Sequence, residues 1–471
     1  MEWKKLVANV AIYAGGDFLV LAVSGFLLIP LYTHHLNPAE YGILVVTRTN
    51  SEIFTYIIQF GVISAVARVY FIFRKKQEHR KYISSILIFY CISAAILFLG
   101  FGFAGKAIWR QLSPSIPAVP YMWFAFGIAF LSYIPALFSI LLRVEEKAKI
   151  FVAAQLATAG LLIFFVVLFL QGFKAGLSGV LWAIVLSGFI SWILFLPFLF
   201  RKLEWGFEWE HVQVSLKFGL PILISYMAYF LINRFGIIFL QRHVGLAEVG
   251  LFGFAQQLAV VISLVSVGFG KSFQPMIYAT EETALADTIS RMNRVYFLFM
   301  FFAAAVIVSF APEILAVFAP RAYGSVYYVF VLLVIANMTY SLKLMSESVI
   351  LYRHHPNLSM ALSIGGGILS VLGNVWLVPQ FGVNGAVFSS LFTAGVVTGT
   401  SLAIARRMVP FRIGMYVVWT GIAAVAAVVF AVWMNGRVSM LLLVPLKIAL
   451  ISLLGVALYF LHLRRAIVDA A

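Results

Sequence analysis

The chain has 471 residues, of which 63% are hydrophobic and 11% charged, and its mean hydropathy is +1.03. Soluble globular proteins carry about 25% charged residues, so this composition excludes one. The formal net charge of +16 does not read as a nucleic-acid footprint, because the cations are spread over short loops between apolar runs rather than gathered on one face.

A bilayer-spanning helix needs about 20 mostly apolar residues, and such runs recur along the whole chain. Fourteen spans are predicted, over residues 7–31, 42–67, 82–104, 119–142, 150–170, 178–200, 218–240, 250–270, 295–312, 326–349, 358–378, 385–405, 414–434 and 440–462. The first run is too long for the h-region of a signal peptide and has no small-residue cleavage site after it, so it is expected to remain. Loops rich in Lys and Arg stay in the cytoplasm. The segment after the second span holds Arg68, Arg74, Lys75, Lys76, Arg80 and Lys81, which places that loop and both termini inside, in a multi-pass protein of the cytoplasmic membrane. The single cysteine, Cys91, lies within an apolar run and can form no intramolecular disulfide.

The two halves of the chain repeat each other. His35-Leu36-Asn37-Pro38-Ala39-Glu40-Tyr41-Gly42 returns 208 positions on as His243-Val244-Gly245-Leu246-Ala247-Glu248-Val249-Gly250. Gly176-Leu177-Ser178-Gly179-Val180 returns 206 positions on as Gly382-Val383-Asn384-Gly385-Ala386. Two matches at corresponding hydropathy breaks indicate a duplicated six-helix unit. Because six is even, the copies are parallel repeats, and substrate sites in such transporters lie between the halves near the midplane. The expected organisation is an all-α fold with an N-terminal lobe at 1–200, an interfacial cytoplasmic linker at 201–217, a second lobe at 218–405, and two additional helices in 406–471, the lobes enclosing a central cavity.

Seven ionisable residues fall within the predicted spans: Asp17, Arg48, Glu52, Arg234, Lys343, Glu347 and Lys447. Each costs about 2.5 to 3.5 kcal/mol at the centre of a helix on insertion scales, so such residues usually face a partner or a hydrated path. Arg48 and Glu52 are four residues apart, as are Lys343 and Glu347. Either pair neutralises itself along a helix face or faces a shared cavity, and the presence of one pair in each lobe favours the cavity. Arg234 has no acid at helical spacing. Arg48, Arg234 and Lys343 together would suit an anion, with Glu52 and Glu347 as their charge partners. Asp17, beside Gly15 and Gly16, is a candidate for coupling to sodium or protons, or else a carboxylate satisfied by a neighbour. Lys447 is expected to pack or to reach a neighbour. Asn50, Gln59, Gln256, Gln257, Asn337 and Asn374 either line a path for sugars or bond helix to helix.

Enzymatic readings lack their residues. The aspartates are Asp17, Asp287 and Asp469, with no pair at the short spacing expected of a metal-dependent glycosyltransferase. His34-His35 and His354-His355 have no further ligands at local spacing, so neither is expected to hold a metal.

Ile29-Pro30-Leu31 followed by Leu36-Asn37-Pro38-Ala39-Glu40-Tyr41-Gly42, with Phe218-Gly219-Leu220-Pro221 and Gly245-Leu246-Ala247-Glu248-Val249-Gly250, resembles the polysaccharide and O-antigen flippases of the multidrug/oligosaccharidyl-lipid/polysaccharide exporter superfamily. The resemblance covers nearly the whole chain. It implies a two-lobed transporter, not an enzyme, that opens alternately to either side and moves a polyprenyl-diphosphate-linked oligosaccharide for cell-surface polysaccharide synthesis. Membrane lipids and polysaccharide assembly proteins would be its partners. An Asp-Arg pair is common in the family near Asn233-Arg234; this chain keeps the arginine and has asparagine for the acid. A multidrug and toxin extrusion exporter is the alternative, disfavoured because a cavity rich in Arg and Lys opposes cationic cargo.

Overall fold

The computed structural model describes residues 26–414, 421–422, 445–449 and 451–452, and every regular element among them is helical. The first unit, residues 1–253, contains α1 (Leu28–His35), α2 (Pro38–Gln59), α3 (Val62–Lys75), α4 (His79–Leu112), α5 (Tyr121–Leu131), α6 (Tyr133–Val144), α7 (Ala148–Val167), α8 (Gly176–Phe200), α9 (Trp209–Asn233), α10 (Phe235–His243) and the start of α11 (Leu246–Ala259). The second unit, residues 254–471, contains the end of α11, then α12 (Val261–Ala279), α13 (Glu282–Ser309), α14 (Ala311–Phe318), α15 (Tyr327–Ser341), α16 (Leu344–Tyr352) and α17 (Pro356–Met408).

Among the described residues, 11 helical stretches are long and apolar enough to cross a membrane, from Pro38–Lys75 to Val383–Met408. They correspond one to one with the second to twelfth predicted spans. The first, thirteenth and fourteenth lie largely outside the described residues. The chain is therefore a multi-pass, all-α membrane protein. Large apolar side chains that point outward, such as Phe103, Phe164 and Trp376, would be a liability in water and are the normal lipid-facing surface of a bundle.

The recurring sequence motifs have local structural causes. Asn37 caps α2: its side chain accepts from the Glu40 amide at 2.9 Å, and the Glu40 carboxylate accepts from the Asn37 amide at 3.0 Å. With Pro38 at the first helical position, this is a complete capping box. Gly176 and Gly382, which open the two copies of the other motif, both have left-handed φ, +54° and +56°. In the second copy that residue interrupts α17 between two membrane spans.

Within the first unit, glycines let helices approach to backbone contact. A Cβ on Gly42 would lie 1.9 Å from the Leu246 carbonyl oxygen, and one on Gly250 would lie 1.9 Å from that of Pro38. The contact is reciprocal, with each motif copy presenting its glycine to the first helical residue of the other. A second reciprocal contact joins α3 to α9. There the long span Pro38–Lys75 breaks at Phe60 and Gly61, with φ of 46° and 72°, and a Cβ on Gly61 would lie 2.3 Å from the Gly219 oxygen, the reverse distance being 2.4 Å. Small residues at such crossings are a standard route to close packing in lipid, where no hydrophobic force draws helices together.

Candidate functional site

Spacing alone would pair Glu52 with Arg48, one turn back on α2. The structure instead pairs it with Arg234, whose Nη2 lies 3.4 Å from Glu52 Oε1. The cause is a helix break that the predicted span 218–240 ran through. α9 ends at Asn233, Arg234 leaves helical geometry at φ −120°, ψ −21°, and α10 restarts at Phe235. The side chain at that junction reaches α2. Asn233, at the place of the missing acid, donates to the Tyr229 carbonyl at 2.9 Å along its own helix; the acid beside Arg234 comes from α2 instead.

Arg48 is exposed. Its guanidinium and that of Arg234 both act electrostatically on the buried phenol of Tyr41, and Arg234 and Glu52 both act on that of Tyr56. Among the described residues, two arginines and one glutamate therefore share a neighbourhood with one positive charge in excess. The tyrosines were not singled out in the sequence, because an aromatic in an apolar run reads as packing. Beside this group lies an apolar groove of about 490 Å³ between α2, α9 and α10, lined by Ile53, Tyr56, Leu223, Met227, Phe230 and Phe239 among others, with Arg242 as its cation.

In the second unit Lys343 and Glu347 form the expected pair one turn apart, at 3.4 Å. Lys343 Nζ also lies 4.7 Å from the centre of the Tyr340 ring, and Glu347 Oε1 accepts from the Ser359 hydroxyl at 2.7 Å. Lys447 is fully buried and bonds Glu313 Oε1 at 2.6 Å. Removing one member of a buried pair strands the other and costs about 3 to 5 kcal/mol, whereas removing both is close to neutral. Lys447→Met is accordingly expected to lower stability by about that amount, and Lys447→Met with Glu313→Gln to restore most of it, as read by thermal unfolding in detergent.

Of the polar residues considered for a sugar path, Asn50 is fully buried and donates to Ser113 Oγ at 2.6 Å, and Asn374 donates to the Ser370 carbonyl at 2.7 Å and Ser389 Oγ at 3.1 Å. Both hold helices rather than face a path. Asn337 bonds its own helix through the Leu333 carbonyl. His34 and His35 each bond a carbonyl one turn back through Nδ1, at 2.8 and 2.9 Å. Asp17 lies outside the described residues.

The sequence profile of polysaccharide biosynthesis proteins matches residues 6–281. The chain belongs to that family. The Lsg locus putative protein 1 of Haemophilus influenzae is 25% identical over 281 residues; the match covers 58% of this chain and 66% of that protein, just under two thirds of its length. Among solved structures, the lipid II flippase MurJ in an inward closed conformation is similar with a TM-score of 0.77 at 10% identity, over 95% of this chain and 98% of that one. An inward-facing multidrug resistance MATE transporter is similar with a TM-score of 0.63 at 16% identity, over 82% and 94% of the two chains. These likenesses show that the chain shares the fold of those two proteins.

Proposed function

We propose that this protein is a flippase that carries a polyprenyl-diphosphate-linked oligosaccharide across the cytoplasmic membrane by alternating access, its termini in the cytoplasm. The observation that carries this reading is the juxtaposition in the first unit of a cationic group, Arg48 and Arg234 with Glu52 as their one acid among the described residues, and an apolar groove beside it. An amphiphile with an anionic head and a long hydrocarbon tail matches both parts. Arginine pairs with phosphate oxygens through a planar fork, and the groove offers the tail a predominantly apolar surface. Lys343 is the cation we assign to the same task in the second repeat, with Glu347 holding it until an anion competes. Asp17 is the residue we assign to coupling with sodium or protons. The repeats at 1–200 and 218–405, joined by 201–217, would move as the two lobes, with 406–471 appended.

Reconstitution tests this directly. Proteoliposomes containing a fluorescent diphosphate-linked oligosaccharide are expected to show transfer of the label to the leaflet protected from an external quencher, dependent on the protein. Absence of protein-dependent transfer under both sodium and proton gradients would reject the reading.

The MATE likeness supports a second reading, export of small cations. It predicts drug resistance on overexpression, and a cation bound close to Arg48 and Arg234 would be repelled. Cationic dye efflux from the same proteoliposomes separates the two.

A further inference from the structure

We propose a divalent transition-metal site formed by Glu78, Glu208 and His211, where the turn between α3 and α4 meets the first turn of α9. One ligand atom from each residue lies within 4.8 Å of the others. His211 is fully buried, and its Nε2 has no hydrogen-bond partner. That nitrogen points at two carboxylates, 3.6 Å from Glu208 Oε2 and 3.8 Å from Glu78 Oε2.

The hydrogen bonds around the ring accommodate the tautomer that a metal ligand needs. Ser85 Oγ donates to the Lys81 carbonyl at 3.0 Å and accepts the Glu208 amide at 3.0 Å. With that proton on the Lys81 carbonyl, the 3.0 Å contact with His211 Nδ1 has the imidazole donating and leaves Nε2 with its lone pair. A hydrogen bond from the second ring nitrogen to a fixed oxygen is the usual support of a metal-bound histidine, because it orients the ring and leaves the other nitrogen free to ligate. Phe73, with its ring centre 4.3 Å away, and Tyr82, at 5.9 Å, hold the imidazole on its sides.

In this tautomer a buried lone pair faces two anionic groups, an arrangement that needs a cation at its centre. Two candidates exist, a proton on Nε2 or a metal ion. Charge-assisted N–H···O bonds run at about 2.7 to 2.9 Å, well short of the separations here. Ligands bound to tetrahedral Zn²⁺ at about 2.0 to 2.1 Å stand about 3.3 Å apart, so each carboxylate oxygen needs to move a few tenths of an ångström toward Nε2, and the two half-exposed carboxylates also toward each other, their ligand atoms lying within 4.8 Å. One imidazole with two carboxylates suits Zn²⁺ or a neighbouring first-row divalent ion, water completing the shell. Lys81 lies 3.9 Å from the other Glu208 oxygen and leaves Oε2 available.

The position gives the ion a task. Glu78 precedes α4, and Glu208 and His211 open α9, the helix that ends at Arg234. The ion would pin the segment after α8 to the end of the bundle that carries the basic loop, fixing the base of α9 while its far end holds Arg234.

The test uses the full chain in detergent, stripped with a chelator and titrated with ZnCl₂ by calorimetry. One equivalent is expected to bind. Glu78→Gln and Glu208→Gln, which alter half-exposed side chains and should leave the size-exclusion profile unchanged, are expected to weaken binding at least about tenfold. Cys91→Ser is expected to leave it unchanged, and X-ray absorption should show nitrogen and oxygen neighbours at about 2.0 to 2.1 Å without sulfur. Binding that persists unchanged in both glutamine variants, or wild-type protein that takes up no saturable Zn²⁺, overturns the proposal.

Discussion

Arg234→Ala is expected to reduce transport of a diphosphate-linked oligosaccharide by about ten- to a hundredfold, while Glu52→Gln keeps it. A hydrogen bond to a charged group contributes about 1.5 to 3 kcal/mol, and about 1.4 kcal/mol is a factor of ten. Arg234 already has an acid at 3.4 Å, and both side chains are about one-third exposed, so an entering phosphate would displace Glu52 rather than find a bare cation. The two variants separate a substrate role from a structural one. If the pair merely joins α2 to the junction of α9 and α10, losing either member should harm the protein equally and through stability. If Arg234 binds the anion, neutralising Glu52 removes a competitor, and apparent affinity should hold or tighten. Arg234→Lys, which keeps the charge but loses the fork, should fall between. The measurement is initial flipping rate against substrate concentration in proteoliposomes matched for inserted protein. Equal losses in Arg234→Ala and Glu52→Gln would sink the assignment.

Gly61→Ala should be strongly destabilising, because it combines two costs. Left-handed φ costs a non-glycine residue about 1 to 2 kcal/mol, and overpacking at a close contact adds about 1 to 3. The added atom would meet the Gly219 carbonyl at 2.3 Å, so α3 and α9 would have to separate. Gly176 provides the control. Its φ is +54°, yet nothing lies within 4 Å of its would-be Cβ, so Gly176→Ala should show the conformational part alone, about 1 to 2 kcal/mol. Thermal unfolding of the two variants in one detergent gives the comparison. Equal shifts would mean that the glycine contact between α3 and α9 contributes nothing to stability.

Much of the fold was legible because lipid imposes a simple rule: long apolar runs become helices. The spans from 42–67 to 385–405 emerged at nearly the observed places for that reason. Hydropathy is blind to breaks, however. It ran 218–240 through Arg234 as one helix and so gave no hint that the residue sits at a junction, free to reach Glu52 across to α2. Helical spacing served well where the helix is continuous, as at Lys343 and Glu347, and misled at Arg48 and Glu52, where a partner from another helix intervened. The cluster of Glu78, Glu208 and His211 was invisible for a related reason. Local ligand spacing cannot report residues that only the chain's return brings together, and the histidine pairs that did stand out in the sequence bond their own backbone.

The mutual approach of Gly42 and Gly250 also limits how this protein can change. Each glycine abuts the other helix's carbonyl oxygen, not a side chain. A larger residue at either place therefore cannot be accommodated by trimming a neighbour, and selection for suppressors of Gly42→Val should return reversion at the codon itself rather than substitutions at Pro38, Leu246 or Gly250.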